Sequence, residues 1–377
     1  MRKKWTKLLI ASISISMSSL IYVNGMQINA QEEGETSFEY KKFPTEEEYE
    51  KELDQQMDRV YAQLKGHIQN ENLCPIPGII NTTYAKDSQV KSSAYYVPQG
   101  LCQTEDYIVI TGYHNGKIGS KSKEDNKGWD SVLYILDVKS HELITTLGLP
   151  QAYHNGGIAY DGENMWFCGN TSSKYLKKGK PFVQCMKYEK LVDIVNASGI
   201  YGQIPKEAVS EQISIDNVPS FLECDKGVLW VGTYINNTTN ADGYAIGYPI
   251  QNIEDENPSL NKLNVLRING IPSSSQGMDI DNGELYVSSS GQGGANWVSS
   301  SFITRFDISA LNGGSNFLDL NGQFVSQIEV PKMNEEIIVD KNTVYMVFEA
   351  CAEAYLKGMP TGMKTDRILP IDRSLWE

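Results

Sequence analysis

The sequence predicts an all-β chain: a five-bladed β-propeller of four-stranded antiparallel blades, closed by an N-terminal strand and preceded by a short helical segment. Two observations carry that expectation. An aliphatic-Pro step occurs five times, at Val97-Pro98, Leu149-Pro150, Val218-Pro219, Ile271-Pro272 and Val330-Pro331. Each step is followed by an apolar strand start, at Leu101, Ile158, Leu222, Met278 and Ile337, with spacings of 57, 64, 56 and 59 residues. A fixed period of this length marks a repeat architecture.

Each unit opens on a β-hairpin. An aromatic stands eight residues after the last four strand starts, at Trp166, Trp230, Tyr286 and Tyr345, and Ile108 stands seven after the first. Between them lie tight-turn sequences: Asp161-Gly162-Glu163-Asn164, Asp225-Lys226-Gly227, Asp281-Asn282-Gly283 and Asp340-Lys341-Asn342. Asx-Gly pairs supply the positive φ angles that two-residue hairpin loops need. A third β run follows, clearest in Val132 to Val138, Val183 to Tyr188, Ile303 to Ile308 and Arg367 to Ile371. A fourth leads into the next aliphatic-Pro step, as in Leu143 to Leu149 and Phe324 to Val330. Proline suits a strand exit because it cannot donate to a ladder. Four strands per unit with no helix between them read as propeller blades starting near 98, 150, 219, 272 and 331. A sandwich would not repeat so regularly, and a β-helix has a much shorter period.

The last unit lacks a fourth strand of its own. Ala94-Tyr95-Tyr96-Val97-Pro98 has the fourth-strand pattern, so the sequence expects that segment to complete the last blade and remove an open edge. A six-bladed ring using residues 75 to 90 is the alternative.

Ahead of the propeller (75–377) three segments are expected. Residues 1–30 read as a signal peptide: Arg2, Lys3, Lys4 and Lys7 precede an apolar run from Leu8 to Val23, with Val23-Asn24-Gly25 or Ile28-Asn29-Ala30 as the cleavage site. The run is shorter than the roughly 20 residues needed to span a bilayer. Residues 31–44 form an acidic linker. Residues 45–70 read as an amphipathic helix: Thr45-Glu46-Glu47-Glu48 fits a capping box, and Tyr49, Leu53, Met57, Val60, Tyr61, Leu64 and Ile68 form one stripe. The expectation is a secreted, extracellular monomer with no membrane span after cleavage.

Charge narrows the partners. Lys plus Arg number 33 against 47 Asp plus Glu, a net of −14. Without the first thirty residues, which hold four bases and no acid, 29 bases face 47 acids and the net is −18. Nucleic-acid backbone needs a basic footprint, so nucleic acid is excluded as a partner. Anionic lipid is disfavoured for the same reason. The six cysteines form no CxxC and allow fifteen pairings, none of which the sequence selects.

The units Pro98-Gln99-Gly100-Leu101, Gly156-Gly157-Ile158, Pro219-Ser220-Phe221-Leu222, Gln276-Gly277-Met278 and Glu335-Glu336-Ile337 resemble those of secreted bacterial β-propeller repeat proteins, over roughly residues 90 to 377. These motifs are architectural and carry no activity with them. The resemblance implies that the approaches to the innermost strands and the loops between second and third strands share one face.

That face would gather Gln99, His154, Asn155, Ser220, Gln276, Asn334, Glu335 and Glu336, with Trp129, Trp297, Glu349, Glu353 and Tyr355 from converging loops. Three chemistries follow. The first is extracellular binding of a small-molecule, glycan or peptide ligand. Trp129 and Trp297 would stack on its apolar face, and Gln99, Asn155, Gln276, Ser220, His154 and Glu335 would hydrogen-bond it. The second is an axial calcium site made of one oxygen side chain per blade: Gln99, Asn155, Ser220, Gln276 and Glu335. Five-bladed calcium-dependent nucleotidases use a similar axial arrangement, though none of their other motifs is present. The third is a hydrolase or lyase, metal-assisted or with Glu335, Glu349 and His154 as the catalytic candidates. Glu335 with Glu349 or Glu353 would face a scissile glycosidic bond, or His154 would shuttle a proton with a glutamate. Asp279-Ile280-Asp281-Asn282-Gly283 fails the spacing of a calcium loop and reads as a hairpin turn.

Overall fold

A computed structural model describes residues 61–79, 81–115, 128–169, 181–236, 241–290, 300–356 and 365–377. Five sheets form the blades of a β-propeller. Blade 1 runs outward through Tyr96–Gln103, Tyr107–His114, Val132–Asp137 and Leu143–Gly148. Blade 2 uses Ile158–Tyr160, Asn164–Gly169, Phe182–Lys187 and Ile213–Ser214. Blade 3 uses Phe221–Asp225, Val228–Thr233, Gly243–Gln251 and Leu266–Ile271. Blade 4 uses Ser275–Asp281, Glu284–Ser290, Ser301–Asp307 and Phe324–Val330. Blade 5 uses Asn334–Asp340, Thr343–Phe348, Arg367–Asp372 and Cys74–Pro75. Each innermost strand packs beside the next, and the fifth beside the first, which closes the ring.

The repeat seen in the sequence is the register of the first hairpin. Leu101 pairs with Ile110, Ile158 with Phe167, Leu222 with Val231, Met278 with Val287 and Ile337 with Met346. All five strand starts are buried in apolar clusters, because alternation along a strand sends every second residue to the same face. The hairpin loops use the expected turn chemistry. Lys226-Gly227 and Asn282-Gly283 each take two positive φ angles, 49° and 74°, then 52° and 87°.

The ring is sealed differently from the expectation. Cys74–Pro75 is the outer strand of blade 5, with Cys74 opposite Ile368 and Pro75 opposite Arg367. Ile68 adds a bridge to Ile371. Tyr96 and Val97 instead begin the innermost strand of blade 1, opposite His114 and Tyr113. The strand Tyr107–His114 is long enough to pair them, and the bulge between Pro98 and Leu101 absorbs the ladder bond that Pro98 cannot make. Residues 82–93 are no sixth blade. They form a separate two-stranded hairpin, Thr82–Lys86 with Gln89–Ser93, anchored on blade 1. The Tyr84 hydroxyl accepts from the Asp130 N–H at 2.9 Å, and Lys86 pairs with Asp130 at 2.6 Å.

Two blades are stitched to the blade before them. The chain leaves the third strand of blade 2, forms the helix Tyr188–Ala197, and lays Tyr201–Gln203 parallel to the outer strand of blade 1. Blade 4 does the same to blade 3 through Ser309–Asn312 and Phe317–Asp319. These additions cover sheet edges that would otherwise invite pairing.

Residues 1–60, holding the expected signal peptide, linker and most of the expected helix, lie outside the described residues. From Tyr61 onward the stripe does not continue as an α-helix. Ala62–Leu64 is a single 3-10 turn, with Tyr61 and Leu64 buried in the core. Among the described residues no helix is long and apolar enough to cross a membrane. Cys74, Cys102, Cys168, Cys185 and Cys224 are free thiols.

Candidate functional site

The approach to each innermost strand places one residue at the same level of the ring. Two residues before the strand start these are Gln99, Gly156, Ser220, Gln276 and Glu335. Blade 2 therefore contributes a glycine there, and Asn155 stands one residue earlier. Matching bonds fix this alignment: the N–H of Gly100 donates to Thr111 Oγ1, and the N–H of Gly157 donates to Cys168 Sγ. Asn155 is enclosed at 1% exposure, with neither side-chain Oδ1 nor Nδ2 partnered.

Glu335 and Glu349 form the centre of the mouth. Glu335 opens blade 5, and Glu349 follows that blade's second strand, so a single hairpin brings the two together. They are 3% and 6% exposed, and their carboxyls hydrogen-bond each other. Amides from neighbouring blades hold the pair from both sides. Gln276 Nε2 donates to Glu335 Oε1 at 2.9 Å, and Gln99 Nε2 donates to Glu349 Oε2 at 3.0 Å. Tyr355 also hydrogen-bonds Glu349, and its hydroxyl lies 3.5 Å from that of Tyr113. The His154 ring meets the Tyr113 ring edge-on at 4.2 Å.

Burial sets the protonation of this group. Loss of water raises both carboxyls, since it penalises the charged form. Glu335 is pushed well above the usual range, first by desolvation and then by the charge of Glu349. Desolvation pushes Glu349 up to about 7, moderated by the donors from Glu335, Gln99 and Tyr355. Both carboxyls are thus biased towards the protonated form. Two buried carboxyls sharing a proton is the arrangement of aspartic-protease-type dyads. His154 goes the other way: desolvation pushes it down to about 4, so it is neutral at pH 7.

Below the mouth the axis carries more acid. Glu336 is 1% exposed; its Oε1 accepts from the N–H groups of Met278 at 2.9 Å and Ile337 at 3.3 Å, and its Oε2 has no partner. Gly277 makes this reach feasible, because a Cβ there would lie 2.1 Å from Glu336 Oε1. Glu223 of blade 3 and Asp279 of blade 4 are both raised first by desolvation, Asp279 to about 7, and the charge of Asp279 raises Glu223 further. The Val339 N–H donates to Asp279 Oδ2 at 2.9 Å. Sequence reading took Asp279 only as part of a turn and did not single out Glu223. The signal was there, since each directly follows a strand start and so faces away from the inter-blade core.

Other expected residues are placed elsewhere. Trp129 lies parallel to His114 at 4.7 Å and edge-on to Tyr96, so it packs the blade 1 hairpin. The Ser220 hydroxyl accepts from the Tyr234 N–H at 3.1 Å. Trp297 lies outside the described residues. Of the five residues of the expected calcium ring, Gln99 and Gln276 turn their N–H groups to carboxyls and keep their amide oxygens, and Asn155 stands one residue before the glycine that blade 2 has at that level. Among the described residues no group of three or more His, Cys, Asp or Glu is placed to hold a metal ion. The Glu335–Glu349 pair is closer than a glycosidase pair. Carboxyls flanking a glycosidic bond stand about 5 to 9.5 Å apart, whereas Glu335 and Glu349 touch.

No protein-family model and no curated protein sequence matches the chain. Solved structures resemble it at low identity. Glutaminyl cyclase from Myxococcus xanthus is 11% identical with a TM-score of 0.41, over 79% of this chain and 95% of that one. Hydrazine synthase from Kuenenia stuttgartiensis is 10% identical with a TM-score of 0.33, over 70% of this chain and 58% of that one. A functionally unknown protein from Desulfotomaculum acetoxidans is 9% identical with a TM-score of 0.36, over 73% and 72%. Likeness at this level carries no activity across.

Proposed function

We propose that the central mouth binds a polar ligand, such as a glycan or peptide, and moves a proton on it through Glu335 and Glu349. One observation carries this reading: two buried carboxyls in mutual contact, each held by an amide from a different blade. Glu335 is the general acid and Glu349 the general base. Gln276 and Gln99 fix the carboxyl planes and act as positioning residues. A base poised near neutral pH is matched to proton transfer at that pH. Contact between the carboxyls favours activation of a water, or proton transfer within one substrate, over double displacement at a sugar. His154 meets the Tyr113 ring edge-on and takes no proton in this reading. We further propose that the protein works outside the cell, as the N-terminal segment suggests.

The test is turnover. Panels of peptides and oligosaccharides are incubated with the protein and with Glu335→Gln and Glu349→Gln. The expected result is a substrate converted between pH 6 and 8, with conversion falling at least about a hundredfold in either variant while binding persists. Undiminished turnover in Glu349→Gln would remove the acid–base role. Binding of a panel member without conversion by the unaltered protein would leave a binding module in its place.

A further inference from the structure

Acceptor oxygens predominate around the mouth. Gln99 and Gln276 spend an N–H each on Glu349 and Glu335, so each amide presents its Oε1 as an acceptor with no donor from the chain among the described residues. Glu349 is the accepting carboxyl of its pair. Directly beneath lies Glu336. Its charge is felt by Cys102 of blade 1, Cys168 of blade 2 and Glu223 of blade 3, and Asp279 of blade 4 acts back on it. Its Oε1 is held against the Met278 N–H of blade 4, and its Oε2 is buried with no partner. The influences that dominate Glu335, Glu349, Glu336 and Glu223 are burial, other carboxyls and hydrogen-bond donors, with no arginine or lysine among them.

A wall of acceptors calls for a ligand that donates. An anionic ligand would meet mostly acceptor oxygens, with the unpartnered Asn155 Nδ2 as the one amide donor left to it, and would lose most of its hydration without replacement. A neutral donor fits the amide oxygens. An ammonium does more, because a buried carboxyl beside it can give up its proton and become a charge-assisted partner. We propose that the mouth selects a polar ligand bearing an ammonium group, such as an amino sugar, and rejects carboxylates of otherwise similar shape. This rests on the reading of the mouth as a ligand site.

Three sugars that differ in one substituent test it: D-glucosamine, D-glucose and D-glucuronate, titrated calorimetrically against the full chain at pH 7. Glucosamine is expected to bind about tenfold or more tightly than glucose, the usual weight of a charge-assisted hydrogen bond. Glucuronate is expected to give no binding heat. Glu336→Gln keeps an acceptor for Met278 and Ile337 and so retains the local fold; it should reduce the preference for glucosamine several-fold. Glucuronate binding as tightly as glucosamine overturns the proposal. So does the absence of glucosamine binding, or an unchanged preference in Glu336→Gln. Carbon-13 titration of labelled glutamate side chains reports separately on the Glu335–Glu349 pair. A shared proton near pH 7 there, with no ammonium preference, removes the selectivity and leaves the proton-transfer reading standing.

Discussion

Replacing Glu349 with glutamine should flatten the dependence of stability on pH. The folded state raises this carboxyl from 4.5 to about 7. Folded protein therefore holds the proton more tightly than unfolded chain, and the contribution to stability is full below pH 4.5 and is lost as pH rises through about 7. At about 1.4 kcal/mol per pH unit, the loss amounts to roughly 3 kcal/mol by pH 8. Asp279, also raised to about 7, acts in the same direction, so the unaltered protein should fall further than one group requires. Glu349→Gln keeps the acceptor for Gln99 Nε2 and removes one ionisation. Urea unfolding at pH 5, 6, 7 and 8, followed by tryptophan fluorescence, gives both curves. The variant should be the less pH-sensitive, by about 2 to 3 kcal/mol across that range. Parallel curves would show that Glu349 is not held protonated by the fold, and the acid–base pair would go with it.

Other consequences follow from the packing. Cys74 stands opposite Ile368, so Ile368→Cys should oxidise to a 74–368 disulfide detectable by peptide mapping; a free Cys74 under oxidation would contradict this closure. Trp376 is fully buried and donates Nε1 to the Ile303 carbonyl at 3.3 Å, so Trp376→Ala should cost about 3 to 5 kcal/mol in denaturant unfolding. Arg373, directly after the last strand Arg367–Asp372, ties Glu284 at 2.9 Å and the Tyr286 hydroxyl at 3.0 Å. Its replacement by leucine should loosen blade 4 from blade 5, seen as faster amide exchange in Glu284–Ser290. Gly277→Ala brings a methyl against Glu336 and should destabilise by about 1 to 3 kcal/mol while disturbing the axis.

Much of the fold was legible because a propeller is a local design repeated. Strand, turn and strand lie within twenty residues of one another, and the alternation that buries Leu101, Ile158, Leu222, Met278 and Ile337 is written in the chain. Closure was harder. Val97-Pro98 and Cys74-Pro75 both carry an apolar residue before proline, and only the length available on Tyr107–His114 decides which pairs where. The segment that seals blade 5 is also two residues long, too short to have a periodicity.

The site divides in the same way. Glu335, Glu349, Gln99 and Gln276 could be nominated from their positions in the repeat, since chain order fixes which end of a blade a residue occupies. Their chemistry could not. A sequence lists five ring residues as equals, but packing gives Gln99 and Gln276 a carboxyl each, puts Trp129 against His114, and sets glycine where blade 2 might have supplied an oxygen. The sequence by itself determined five blades, because hairpin register is a property of neighbouring residues. Only the tertiary structure decided that two buried glutamates meet, because that depends on the water they lose and on amides brought from blades 59 and 250 residues away.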